Sequence, residues 1–388
     1  MRNLPKDWKW VKLEEVCDII SGKNQSKVIN ENGIYPIYGS SGIFGYANEY
    51  LCNEGTTVVG RKGTINSPLY VSTKFWNVDT AFGLSPKDCY HKKLLYYFCL
   101  GFNFHKLDKS TTIPSLAKRD LLNIDIPLPP IHVQSTIVSK IEELFSELDN
   151  GIENLRLAKQ QLKTYRQAVL QWAFEGRLTN KNVKEGELPE GWKITSIGEV
   201  ASVGTGATPL KSNYEYYGGK IAWVTSGALN EEYVREATDY VTEKAIKETN
   251  LTVYPKYTLL VAMYGEGKTR GKCSELLIEA CTNQAIAAIH FDNQQVIVKK
   301  YLKYFLVKNY IGVRKKSSGG VQPNLNLGII KKLQFPLAPF DEQSLIVQEI
   351  ENRLSVADKM EESITQSLQQ AKALRQSILK KAFEGRLI

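Results

Sequence analysis

QQLKTYRQAVLQWAFEGRL, residues 160–178, returns as QQAKALRQSILKKAFEGRL, residues 369–387. The two stretches lie 209 residues apart, and the same displacement carries Pro127 onto Pro336, Gln134-Ser135 onto Gln343-Ser344 and Ile141-Glu142 onto Ile350-Glu351 without a gap. An ungapped match over roughly fifty residues marks a duplicated unit, with a period far longer than that of a solenoid. A fainter echo stands upstream: Leu4-Pro5-x-x-Trp8 recurs as Leu188-Pro189-x-x-Trp192. Between these anchors the halves diverge. Tyr96-Tyr97-Phe98 answers Lys303-Tyr304-Phe305, and Ile113-Pro114-Ser115-Leu116 answers Gln322-Pro323-Asn324-Leu325. The order is therefore variable, constant, variable, constant.

Each constant segment reads as one long helix. Apolar residues fall at Ile137, Ile141, Leu144, Leu148, Ile152, Leu155, Leu162, Tyr165, Val169 and Trp172. In the second copy they fall at Ile346, Ile350, Leu354, Ala357, Met360, Ile364, Leu368, Ala371, Leu374 and Ile378. Steps of three and four residues predict a coiled-coil seam. Pro129-Pro130 and Pro336 to Pro339 precede the two helices, and Gly176 and Gly385 stand where C-caps belong. A helix with one apolar seam must bury it. The expectation is an antiparallel pair about an internal pseudo-twofold, serving as a spacer between two domains.

The variable segments alternate short β-type runs with glycine turns, which predicts mixed α/β domains. Thr56 to Gly60 leads into Arg61-Lys62-Gly63-Thr64, and Tyr257 to Val261 leads into a basic, glycine-rich loop from Tyr264 to Lys272. A fresh strand is expected in each half, around Val71 and around Ala285 to Phe291. Amphipathic helices follow at Lys92 to Leu100 and Lys299 to Val307, then polar loops at Lys109-Ser110-Thr111-Thr112 and Lys315-Lys316-Ser317-Ser318. The expected division is 1–130, a first domain; 131–180, a helix; 181–339, a second domain; and 340–388, a second helix.

The chain has 388 residues, is 43% apolar and 23% charged, and carries a formal net charge of +9, which suits a globular protein with a polyanionic partner. No apolar run approaches the length of a membrane helix. Cysteines at 17, 52, 89, 99, 273 and 281 form no C-x-x-C and no zinc-like pairing with histidine. Reduced thiols in a cytoplasmic protein are expected. His91, His105, His132 and His290 are scattered without a paired acid or nucleophile. Lysine, arginine and small hydroxyls in loops suit phosphate contact, and arginine, asparagine and glutamine suit base edges.

The whole pattern resembles the specificity subunits of type I restriction–modification systems. The paired R-Q…A-F-E-G-R-L helices carry most of the likeness, together with Tyr38-Gly39-Ser40-Ser41-Gly42, Gly60 to Thr64, Gly206-Ala207-Thr208-Pro209 and Asn283-Gln284-Ala285. The resemblance implies two target recognition domains, each reading one half of a split, asymmetric site in double-stranded DNA, with the helices fixing the unread spacer. It implies docking of two modification subunits and, through them, restriction (motor-nuclease) subunits. It implies no catalytic centre, metal or cofactor here: S-adenosylmethionine, ATP and Mg2+ belong to the partners. Candidate DNA contacts are Ser40, Ser41, Arg61, Lys62, Thr64, Lys109, Ser110, Thr111 and Thr112 in the first domain. In the second they are Thr208, Lys268, Thr269, Arg270, Lys315, Lys316, Ser317, Ser318 and Gln322.

Three other readings compete. A self-contained adenine methyltransferase needs an N/D-P-P-[FY] motif, and Leu128-Pro129-Pro130 lacks both the amide or acid and the aromatic. Ala262 to Thr269 approaches a P-loop, but Arg270-Gly271-Lys272-Cys273 follows where a helix must open. A coiled-coil scaffold that never touches DNA predicts no basic bias in the domain loops, against the clusters at Arg61-Lys62, Lys268 to Arg270 and Lys315-Lys316.

Overall fold

The structure is a computed structural model, and it describes residues 4–180, 182–184, 186–237, 239–265, 268–291, 297–315 and 324–388. The chain divides into two compact units: residues 1–158 with 363–388, and residues 159–362. Both divisions cut a long helix in mid-length, so each unit owns a globular part and a piece of each helix. The helices run Ile131–Phe174 and Phe340–Phe383, 44 residues each, or about 65 Å at 1.5 Å per residue.

In the first unit, a four-stranded antiparallel sheet is ordered Cys17–Ser21, Ala81–Pro86, Thr56–Gly60, Leu69–Val71. A three-stranded sheet joins Gly42–Ala47, Tyr35–Gly39 and Trp76–Asn77, the last pair parallel. Strand Lys9–Lys12 pairs with Asp125–Leu128. The core gathers Val59, Phe82 and Leu84 from the large sheet, Leu94, Leu95 and Phe98 from helix Lys92–Gly101, Ile137, Ile141 and Phe145 from the central helix, and Ile378, Leu379 and Ala382 from the C-terminal one.

The second unit repeats this layout. Its large sheet is ordered Ser202–Thr205, Ile286–His290, Leu259–Ala262, Cys273–Leu276, Tyr233–Val234, so it gains a fifth, parallel edge strand. Asp239–Val241, Tyr217–Val224 and Cys281–Thr282 form the small sheet, and Lys193–Ser196 pairs with Gln334–Leu337. Strand Ile286–His290 thus corresponds to Ala81–Pro86. The strand at Val71 corresponds instead to Cys273–Leu276, so the strands expected around Val71 and around Ala285 to Phe291 are both present but hold different places in their sheets. The extra edge strand is pinned by Lys303, whose buried ammonium bridges Glu232 at 2.9 Å and Glu275 at 3.1 Å and lies 3.8 Å from the Tyr233 ring centroid.

Matched hydrogen bonds explain the repeated letters. Gln134 and Gln343 are both fully buried. The Gln134 Oε1 accepts the His91 amide at 2.6 Å, and its Nε2 donates to the Cys89 and Pro129 carbonyls at 3.0 and 2.9 Å. The Gln343 Oε1 accepts the Val298 amide at 2.8 Å, and its Nε2 donates to Ala338 at 2.9 Å. Each glutamine therefore sews the start of a long helix to the start of a short one. The arginines of the R-Q dipeptides join the two long helices. Arg375 pairs with Asp149 within the first unit, and Arg166 pairs with Asp358 at 2.7 Å and Glu361 at 2.6 Å within the second. Asp149 and Asp358 are themselves duplicates. In both units these pairings set the helix segments antiparallel.

The E-G-R triplets end the helices in Schellman turns. The Arg177 amide donates to Trp172 and the Arg386 amide to Lys381, both at 2.9 Å. Gly176 and Gly385 have φ of 75° and 69°, and a Cβ at either would overlap a proline, Pro189 or Pro5 respectively. The seam differs from the 3.5-residue pattern at its ends. Toward the ends Trp172 and Leu374 are exposed while Leu170, Ala173, Phe174, Leu379 and Ala382 are buried, and at mid-helix Met360 is exposed as well. Near its domain a helix meets the other helix and the globular core together, so its buried face widens and turns. No helix among the described residues is long and apolar enough to cross a membrane.

Candidate nucleic-acid interface

Three loops of the first unit converge on the end of strand Thr56–Gly60. Gly60 permits the approach: a Cβ there would overlap the Thr64 carbonyl and stand 3.0 Å from the Ser40 Cβ. Ser40-Ser41 is the turn of the Tyr35–Ala47 hairpin. Residues Arg61–Thr64 turn through Gly63, φ 80°. They are zipped to the third loop by the Gly63 amide on the Pro114 carbonyl at 2.9 Å, the Leu116 amide on Arg61 at 2.8 Å and a bridge between Lys62 and Ser115. The Arg61 Nη1 donates to the Asp79 carbonyl at 3.3 Å, and the guanidinium lies 5.8 Å from the Phe82 ring centroid.

The third loop folds around one carboxylate. Asp108 accepts the Ser110 hydroxyl at 2.6 Å and the Ser110 and Ser115 amides, each at 3.0 Å. Those donors hold its pKa below the ordinary aspartate range. Thr111 and Thr112 are exposed at the tip. Lys109 is engaged with Asp120 at 2.9 Å, which lowers the pKa of that acid, and the Ser110 hydroxyl is occupied by Asp108. These two of the expected contacts thus already have partners within the domain.

In the second unit, Ala262 and Lys272 pair across a hairpin: the Ala262 amide donates to Lys272 at 3.0 Å, and the Gly271 amide donates to Ala262 at 2.8 Å. Strand Cys273–Leu276 follows, where a P-loop requires a helix. Helix Tyr310–Lys315 pins this loop from outside. The Tyr310 hydroxyl donates to the Lys268 carbonyl at 2.6 Å, and the Arg314 Nη1 donates to the Arg270 carbonyl at 2.8 Å. The Thr269 hydroxyl reaches the Asn230 Oδ1 at 3.2 Å. Lys315 is exposed at the end of that helix. Thr208 belongs to another edge, beyond strand Ser202–Thr205, and its hydroxyl donates to Gln284. Lys316, Ser317, Ser318 and Gln322 lie outside the described residues.

Sequence reasoning missed Tyr310, Arg314 and Asn230, which carry no motif and act only through what they hold. It also missed Ser21, Ser115 and Lys118, which share a cleft with Arg61 and Lys62. Among the described residues, no group of three histidines, cysteines or acids is placed to hold a metal.

Two duplicated α/β domains with unlike polar loops, each stitched to the same pair of helices, match a single protein class. The profile of the family described as type I restriction modification DNA specificity domain matches residues 5–156 and 189–370, and the chain belongs to that family. Members are non-catalytic specificity subunits of restriction–modification systems. The chain is similar to the type I restriction enzyme EcoDI specificity subunit of Escherichia coli, 24% identical over 99% of this chain and 89% of that one. Two solved structures share the fold. One, from work on complex assembly and conformational transition of the type I R-M system, has a TM-score of 0.75, 18% identity and full coverage of both chains. The other, the HsdS subunit from Thermoanaerobacter tengcongensis, has a TM-score of 0.67, 18% identity and coverage of 99% of this chain and 98% of that one. The reading as a scaffold that never touches DNA finds no support.

Proposed function

We propose that residues 1–130 and 181–339 are two target recognition domains reading different halves of one bipartite DNA site, and that helices 131–180 and 340–388 set the gap between the halves. The supporting observation is the contrast between identical anchoring and unlike loops. Gln134 and Gln343 tie both domains to the helices in the same way, while the loops they present differ in length, charge and internal bonding. Two equivalent readers with unlike surfaces call for a split, non-palindromic site. In the first domain the Ser40-Ser41 turn, Arg61 to Thr64 and the exposed Thr111-Thr112 tip meet the duplex. In the second, Thr208, Lys268 to Arg270 and Lys315 do so, together with Lys316, Ser317, Ser318 and Gln322. Two modification subunits dock on this chain, restriction subunits join through them, and S-adenosylmethionine, ATP and Mg2+ bind to those partners. The complex works in the cytoplasm.

The test lengthens the helices. Seven residues inserted after Ala158 and seven before Ser363 add two turns to each, about 10 Å, or about three base pairs at 3.4 Å per step. Methylated adenines mapped in cells that carry the modification subunit should show unchanged half-sites and a longer gap. Altered half-sites with an unchanged gap would overturn the assignment.

A further inference from the structure

A cleft of about 350 Å³ opens in the first domain between Ser21, Arg61, Lys62, Phe82, Ser115 and Lys118. Three cations and two hydroxyls line it, and no carboxylate does. Several lysines elsewhere in this domain are paired with acids: Lys12 with Asp125, Lys87 with Asp18, Lys93 with Glu142 and Lys109 with Asp120. Asp120, two residues from Lys118, is taken up by Lys109 and Arg119. Among the described residues, neither Lys62 nor Lys118 has an acidic partner. The walls are rigid, because the Lys62–Ser115 bridge and the Leu116-to-Arg61 hydrogen bond hold the two loops together.

The second domain keeps the frame and, at two described counterpart positions, lacks the charge. There the Leu325 amide donates to the Met263 carbonyl at 3.1 Å, as Leu116 does to Arg61. Helix Leu327–Lys331 stands for Lys118–Leu122. Met263 therefore replaces Arg61, and Leu327 replaces Lys118.

We infer that the Arg61/Lys62/Lys118 cleft holds a phosphodiester of the DNA backbone, a sequence-independent clamp whose Arg61 and Lys118 have no cationic counterpart among the described residues at the equivalent places of the second domain. A phosphate is complementary to cations and hydroxyls set around a site free of carboxylates. Arg61, steered by Asp79 and Phe82, presents its fork, and the lysines supply point charges. This rests on the reading of the chain as a DNA specificity subunit.

The experiment uses the full chain bound to its modification subunits, with Lys62→Gln, Lys118→Gln and the double substitution. Affinity is measured from low to moderate salt on a duplex carrying the mapped site and on a scrambled duplex of equal length. Because the cleft holds one phosphate, the slope of log K against log salt should flatten by up to about 0.9 in the double variant and by less in either single one. Binding to both duplexes should weaken in the same proportion, with methylated positions unchanged. A changed preference at one half-site would overturn the inference, because it marks a base contact. Unaltered slopes with intact discrimination would place the cleft away from DNA and leave the function standing. Inorganic phosphate titrated onto the free chain adds a separate arm. Binding lost in Lys118→Gln without any change in the DNA slope would make this a small-anion site and refute the clamp. A wild-type complex that fails to discriminate between the duplexes would remove the function itself, and the clamp with it.

Discussion

Replacing Gln134 by leucine keeps most of the side-chain volume and removes three hydrogen bonds at a site with no solvent access. The His91 amide and the Cys89 and Pro129 carbonyls lose their side-chain partner together. Each buried group left unsatisfied costs about 1–3 kcal/mol, with carbonyls at the low end because they keep a second lone pair. The sum is about 3–5 kcal/mol, from which about 1 kcal/mol returns through the added apolar burial of leucine. The expected net loss is about 2–4 kcal/mol. Native-state hydrogen exchange at the His91 amide reads it directly, since that proton is held by the deleted oxygen. Urea unfolding reads the same loss in the first unit as a lower midpoint with an unchanged slope. Gln343→Leu should behave alike at Val298, and the double variant should be additive because the two sites share no partner. A loss under about 1 kcal/mol at either site would refute the reasoning, since it would mean water replaces the amide without cost.

A fragment of residues 1–185 is expected to self-associate. The central helix carries both Asp149 and Arg166, the residues that meet Arg375 and Asp358 in the whole chain. Two copies can form both ion pairs between themselves, so Arg166→Glu should shift sedimentation toward monomer and Asp149→Arg with Arg166→Asp should restore the dimer. The loop around Asp108 is expected to withstand mild acid. Its carboxyl has a lowered pKa in the fold, so the stabilisation is present above the unfolded value of about 3.9 and is lost as pH falls through the lower folded value. Amide exchange at Ser110 and Ser115 should stay slow at pH 5 and accelerate only below that range. Asp108→Asn should remove the pH dependence.

Much of this architecture was legible because it was written twice. The duplicated letters located both helices, the short helices at Lys92 and Lys299, and the paired loops at Leu116 and Leu325. What was not legible depended on three dimensions. Which strand of one domain answers which of the other was not legible, because β-type runs of similar composition recur several times per domain and only hydrogen-bond register distinguishes them. The helix ends departed from a simple seam because a third surface, the domain core, competes there for apolar residues. In the candidate site, Lys109 and Lys62 are chemically alike in the sequence. An acid at Asp120 neutralises the first, and nothing among the described residues neutralises the second. That difference depends on folding a loop back, not on any motif.

Gly176 abuts Pro189 across a short stretch of chain, and Gly385 abuts Pro5 in the same manner with no peptide link between them. The junction is therefore made by shape, a naked α-carbon against a pyrrolidine ring, and covalent continuity is incidental to it. A change in the sequential order of the halves that keeps each glycine beside its proline keeps the joint of each unit, so readers can be paired anew without inventing another one.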